Sequence, residues 1–139
     1  MIKIANFLGN ALALIWMLPQ SIGAFILYAL FHNKVRTRYY TKPTKPYFFF
    51  VRVYEGDWSW GVSLGFWIFL PYASARISVK HEQGHSLQSL ILGPLYLIVV
   101  GLPSVAMNLI SRVSIRFSKN YYGRWPESWA DKLGGVERK

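Results

Sequence analysis

Apolar residues in this chain fall in blocks separated by basic stretches that contain no acid. Ile4 to Phe31 runs 28 residues without a charge, longer than the roughly 20 that a helix needs to cross a bilayer. Pro19 and Gly23 fall inside the run, where membrane helices tolerate kinks. A secretory signal would have a shorter apolar region followed by a small-residue cleavage site. A basic stretch follows instead, so 1–31 reads as a permanent transmembrane anchor. His32 to Pro46 carries Lys34, Arg36, Arg38, Lys42 and Lys45, and Pro43 and Pro46 deny it a helix. The segment 32–46 reads as a basic loop, cytoplasmic by the positive-inside rule.

The pattern then changes period. Tyr47 to Tyr54 is β-branched and aromatic and ends at Glu55-Gly56-Asp57, a strand followed by a turn. From Trp58 to about Leu70 the even positions are apolar through Ile68, and the odd ones begin Ser59, Gly61, Ser63, Gly65. Alternation of this kind gives a strand with one greasy and one small-residue face, so 47–70 predicts an antiparallel hairpin. Ser78 to Leu92 reads as a helix that Gly93-Pro94 breaks. Leu95 to Ile110 is a returning apolar helix that extends to about Phe117, which gives a helical segment over 78–117. Arg112, Arg116, Lys119 and Arg124 form a second acid-free cluster on the cytoplasmic side. A short helix over 126–133 has Pro126 at its start and Gly134-Gly135 as its stop.

Composition points the same way. Of the 139 residues 53% are hydrophobic and 17% aromatic, and 16 Lys plus Arg against 6 Asp plus Glu leave a net charge of +10. Because the basic residues flank apolar blocks, the charge fits a bilayer surface and not nucleic acid. There is no cysteine, so any metal must be held by imidazole and carboxylate.

Residues 81–85 read His-Glu-Gln-Gly-His. Two histidines four apart lie on one helix face, one turn above each other, and both imidazoles can reach one tetrahedral ion at 2.0–2.1 Å. Glu82 sits beside that face, in reach of a metal-activated water, as the general base. A catalytic site needs a third protein ligand and an open position. Glu127 and Asp131, four apart on the terminal helix, supply the remaining carboxylates: one can bind metal while the other fixes an imidazole through its second nitrogen. Antiparallel pairing of the two apolar helices would set His81 and His85 at the cytoplasmic interface near Glu127.

H-E-x-x-H followed by E-x-x-x-D resembles the gluzincin pattern of metallopeptidases. The stretches H-E-Q-G-H-S-L-Q-S-L-I-L-G-P-L-Y-L and Y-Y-G-R-W-P-E-S-W-A-D-K-L-G-G-V are also similar to a family of small bacterial membrane proteins. The resemblance covers about the last 60 residues. It implies Zn²⁺ held by His81, His85 and Glu127, Glu82 as base, Asp131 supporting the ligands, and a place in the bacterial inner membrane. Site-2 proteases also carry H-E-x-x-H in a membrane helix; that likeness would make Asp131 the third ligand.

The expected architecture is one integral-membrane domain of mainly α class, with about three membrane helices, a hairpin beside the metal-site helix and a short C-terminal helix. The expected activity is zinc-dependent hydrolysis of a peptide or protein substrate, with the lipid bilayer as partner and no nucleic acid. A non-catalytic zinc-stabilised protein, or a hydrolase of another amide or ester, fits the same ligands. Ser59, Gly61, Ser63 and Gly65 would let a substrate backbone approach. Tyr122 or Tyr121 could donate to the oxyanion. The residues do not fix substrate, metal identity or oligomeric state.

Overall fold

In the computed structural model residues 1–42 and 50–138 are described. The uncharged N-terminal run forms two helices, α1 (Ile2–Trp16) and α2 (Leu18–Phe31), and not a single continuous one. A proline at position 19 has no N–H for the carbonyl four residues back, and its ring clashes there. The chain therefore breaks at Met17 (φ −100°, ψ 29°). Pro19 then falls in the first turn of α2, where a missing N–H leaves no bond unmade. The two helices are bent by 85° across the break.

The returning apolar run is broken as well. Gly93 (φ +56°) ends α3 (Arg76–Leu92). A 3₁₀ turn (Gly93–Leu95) and a π-helical turn (Leu97–Gly101) lead into α4 (Leu102–Val113), and α5 (Ile115–Ser118) follows. Among the described residues no single helix is long and apolar enough to cross a membrane. The expectation of about three membrane helices beside one hairpin is thus corrected: the fold is mostly helical and built on a mixed four-stranded sheet.

The sheet departs from the expected hairpin over 47–70, of which 47–49 lie outside the described residues. Its strands are β1 (Val35–Thr41), β2 (Val51–Gly56), β3 (Val62–Leu64) and β4 (Trp67–Pro71), in the order β1-β2-β4-β3. β2 runs antiparallel to β1, with Tyr39 opposite Val53, and parallel to β4, with Val53 opposite Ile68. The true hairpin is β3–β4, which turns at Gly65 (φ +63°). β1 comes from the stretch read as a basic loop. Its burial alternates, with Arg36 and Arg38 outward and Thr37 and Tyr39 half-buried, the period of a half-covered strand. β4 is apolar throughout, and β2, although it carries Arg52 and Glu55, is buried along nearly its whole length, as suits central strands covered on both faces. Gly56 also directs the chain away from a simple return. A Cβ there would overlap the Trp58 ring and the Lys34 carbonyl, so the chain passes over Trp58 and reaches the far edge before β3 begins.

Two apolar clusters hold these layers. Val51, Val53, Ile68 and Leu70 pack with Ala13, Met17 and Leu87. Tyr54, Phe69 and Leu64 pack with Ala24, with Tyr28, Trp58 and Trp60 around them. The helix that matters for the site is α6 (Glu127–Gly134), closed by Gly135 in the left-handed region (φ +68°), a common helix stop. α6 lies directly against α3. A Cβ on Gly84 would overlap the Ala130 carbonyl, and one on Gly134 the Lys80 carbonyl. Glycine at both points of the crossing lets two backbones touch where any side chain would hold them apart.

Candidate metal centre

Residues His81 to Ser89 of α3 are all buried although most are polar. Buried polar groups require partners, and neighbouring elements provide them. Gln83 Nε2 donates to Thr41 Oγ1 of β1 at 2.6 Å, and Ser86 Oγ meets Ser63 Oγ of β3 at 2.7 Å. The Tyr96 hydroxyl, just beyond α3, donates to the Ser63 carbonyl at 3.2 Å.

The two histidines turn the same way. His81 Nδ1 meets Asp131 Oδ1 at 2.6 Å, and His85 Nδ1 meets Gln88 Oε1 at 2.7 Å. Their Nε2 atoms both face Glu127 Oε2, at 3.0 and 3.2 Å. An Nδ1–H held by an outer acceptor leaves Nε2 as the ligand atom of a neutral imidazole. The three ligand atoms lie within 4.8 Å of one another. Two ligands each 2.0–2.1 Å from a tetrahedral ion are about 3.3 Å apart, close to the separations observed. The structure brings His81, His85 and Glu127 to one point and sets Asp131 on the opposite nitrogen of His81.

Charge argues for the same occupant. Three carboxyl groups, Glu82, Glu127 and Asp131, are buried together, and the guanidinium that reaches them, Arg138, holds Asp131 by two bonds at 2.6 and 3.0 Å. A divalent cation would offset the negative charge such a cluster can carry. Burial raises the Glu82 pKa, and the two imidazoles pull it back in part. Burial lowers that of His85, but the Glu127 hydrogen bond and the Glu82 and Glu127 charges outweigh it, so it ends raised. Burial alone would raise the Glu127 pKa, but hydrogen bonds from both imidazoles bring it well below the usual carboxylate range. Glu127 Oε1 accepts from Ser104 of α4, and Glu82 Oε2 is buried with no hydrogen-bond partner. Glu82 also lines the open space beside the cluster.

A cavity of about 640 Å³ opens there, within the range of small-ligand sites. Its walls include Ser59 to Leu64, Tyr96, the α4 face with Ser104 and Asn108, Tyr121 and Tyr122, with His81, Glu82, His85 and Glu127 at its floor. Of the small residues expected at a substrate wall, Ser59, Gly61 and Ser63 line it. Gly61 lies against Glu82, since a Cβ on it would be 3.2 Å from Oε1. Gly65 does not line it: it is buried in the β3–β4 turn against Met17 and Gln20. Tyr122 stands edge-on to His81 with ring centroids 5.1 Å apart, and Arg138 lies 3.4 Å over its ring.

Sequence reasoning left three contributors unassigned. Gln88 holds the His85 ring and also donates to the Pro126 carbonyl at 3.1 Å, tying α3 to the residue before Glu127. Its position three after His85 on the same helix face was the available signal. Ser104 and Arg138 had none, since each reaches the site only through tertiary packing. No protein-family model, curated protein or solved structure matches this chain.

Proposed function

We propose that this protein is a zinc-dependent hydrolase, most simply a peptidase, with His81, His85 and Glu127 as metal ligands and Glu82 as the general base. The observation that carries the reading is the convergence of both Nε2 atoms on one Glu127 oxygen. Bound Zn²⁺ would polarise a scissile carbonyl and lower the pKa of a coordinated water to near 7.

The chain's own residues do the rest. Gln88 and Asp131 hold the two rings so that Nε2 points inward. The unpartnered Glu82 oxygen, its basicity raised by burial, accepts a proton and passes it to the leaving amine. Gly61 keeps the space beside that carboxylate clear of any side chain. β3 is an edge strand of the sheet, and an extended peptide can pair along such an edge. Tyr122 lines the cavity beside His81, placed to donate a hydrogen bond to a developing oxyanion.

A purely structural zinc site closes its fourth position. Here a cavity opens onto the cluster, and a carboxylate with no structural partner faces it, which favours catalysis. A non-peptide amide or ester would use the same groups, and the strand edge favours the peptide. The test is metal analysis together with hydrolysis of a quenched-fluorescent peptide library. Wild type and Glu82→Gln should hold equal zinc, with turnover lost in the variant; His85→Ala should lose both. Zinc retained equally by His85→Ala, or turnover unchanged in Glu82→Gln, would refute the assignment.

A further inference from the structure

Part of the protein's surface has an unusual composition. Among the described residues α1 and α2 together leave twelve large apolar side chains more than a third exposed, Phe7 at 71% and Phe25 at 74% among them. A helix that is apolar all round requires a non-aqueous environment, yet little of the described protein covers α1. The outward stripe of α2 repeats at helical spacing through Leu18, Ile22, Ile26 and Leu30. That of α4 does so through Leu102, Val105, Leu109 and Val113, the last 87% exposed.

The elements that carry these stripes meet at the α1–α2 elbow. The Trp16 indole, at the α1–α2 elbow, donates to the Leu90 carbonyl at 2.9 Å and lies against Gly93. Gln20 donates to the Gly93 carbonyl at 2.6 Å. The elbow therefore abuts the turn that leads to α4, and exposed Leu95 and Ile98 continue the apolar path across it. Single monomers rarely expose apolar patches beyond a few hundred Å² unless something docks there.

Charge selects the occupant. Basic residues follow the ends of both stripes: Lys34, Arg36 and Arg38 after α2, and Arg112, Arg116 and Lys119 after α4. Among the described residues only Arg36 of these has an acid partner, Asp57 at 2.7 Å. A second copy of the chain would bring the same basic residues against these, whereas anionic headgroups neutralise them. At 1.5 Å per residue α1 and α2 are about 22 and 21 Å long, shorter than the roughly 30 Å hydrocarbon core. The 85° elbow sets them nearly at right angles to each other, which suits apolar helices that lie along one leaflet.

We propose that α1, the outer face of α2 and the outer face of α4 form a seat in one leaflet of an anionic bilayer, with the basic residues at the helix ends on the headgroups. Leu102, Val105 and Leu109 belong both to that seat and to the cavity wall, so the cavity opens at the lipid boundary. The seat does not depend on the metal reading.

The test is flotation of the full chain, purified in detergent and freed of it in the presence of vesicles. Phosphatidylcholine vesicles with and without 30% phosphatidylglycerol serve as probes, at low salt and at 0.5 M salt. The chain should float with the anionic vesicles, more weakly with the neutral ones, and more weakly in salt. Arg116→Gln with Lys119→Gln should weaken anionic binding roughly 25-fold, at about fivefold per basic residue near the surface. Phe25→Glu with Leu109→Glu should abolish binding to both vesicle types; both sites are exposed, so the circular dichroism spectrum should not change. A chain that stays monomeric and does not float would overturn the proposal. So would a stable dimer that vesicles do not dissociate, or equal, salt-independent binding to both vesicle types.

Discussion

Gly84→Ala is the smallest change that should take the metal centre apart, although position 84 binds nothing. In an exposed helix Ala is favoured over Gly by about 1 kcal/mol. Here the added methyl would overlap the Ala130 carbonyl, which is backbone within α6 and cannot rotate away. Overpacking of a close interface costs typically 1–3 kcal/mol, and relief requires α6 to move bodily from α3. Glu127 and Asp131 travel with it. Metal coordination tolerates only about 0.2 Å of error in ligand distance, so a shift sufficient to seat a methyl removes the third ligand.

The expected result is a net loss of up to about 2 kcal/mol in apo stability by denaturant unfolding, the overpacking cost less the helix preference of Ala. Zinc affinity, measured by competition with a chromophoric chelator, should fall at least as far as for loss of an outer support, about 10- to 100-fold. Gly134→Ala, whose methyl would meet the Lys80 carbonyl at the other point of the crossing, should behave alike. A Gly84→Ala protein of unchanged or raised stability with full zinc affinity would show that α6 does not pack on α3 this way, and the ligand set would lose its third member.

Two further predictions test the supports. Gln88→Leu keeps the volume but removes the acceptor on His85 and the donor to Pro126; zinc affinity should drop about 10- to 100-fold, and Gln88→Glu, which restores the acceptor, should recover part of it. A Gln88→Leu protein with full affinity would reduce Gln88 to packing. Tyr39 donates to Glu55 at 3.2 Å, and burial, then the Glu55 charge, pushes its pKa up to about 12. The folded state thus favours the neutral phenol. Its contribution is complete below pH 10 and is lost as pH rises through 12. Wild type should lose more stability over that interval than Tyr39→Phe in unfolding curves taken at each pH; parallel losses would refute the bond.

The separation between what could and could not be read from the sequence follows chain distance. His81, Glu82 and His85 were legible because one helical turn fixes their relation, whatever surrounds the helix. The Glu127 to Asp131 spacing was legible for the same reason. Which of the two carboxylates meets Nε2 was not, because it depends on how α6 crosses α3, and the two glycines set that crossing from 50 residues apart. The sheet was obscured by a similar cause. Val35 to Thr41 carries a strand's alternation, but its outward positions are arginines, and charge density with flanking prolines resembles a basic loop. The parallel pairing of β2 with β4 has no local signature at all, since nothing in Val51–Gly56 or Trp67–Pro71 states that the intervening strand lies outside them.

The N-terminal run shows what counting apolar residues leaves out. Hydropathy over a window records how much of a segment avoids water and not the direction in which the chain leads. Twenty-eight uncharged residues meet the length requirement for a crossing, but one proline divides them into two helices at 85°, neither of them long enough alone. The polar residue beside that break decides where α2 goes. Gln20, fully buried, places its amide nitrogen on the Gly93 carbonyl, a bond that hydrocarbon could not offer. One face of α2 is thereby committed to the protein core and the opposite face is left apolar and bare. Two apolar faces on one helix, one covered by protein and one not, leave no contrast between polar and apolar positions for the sequence to display. The difference between them becomes visible only once the partner of Gln20, 73 residues away, is in place.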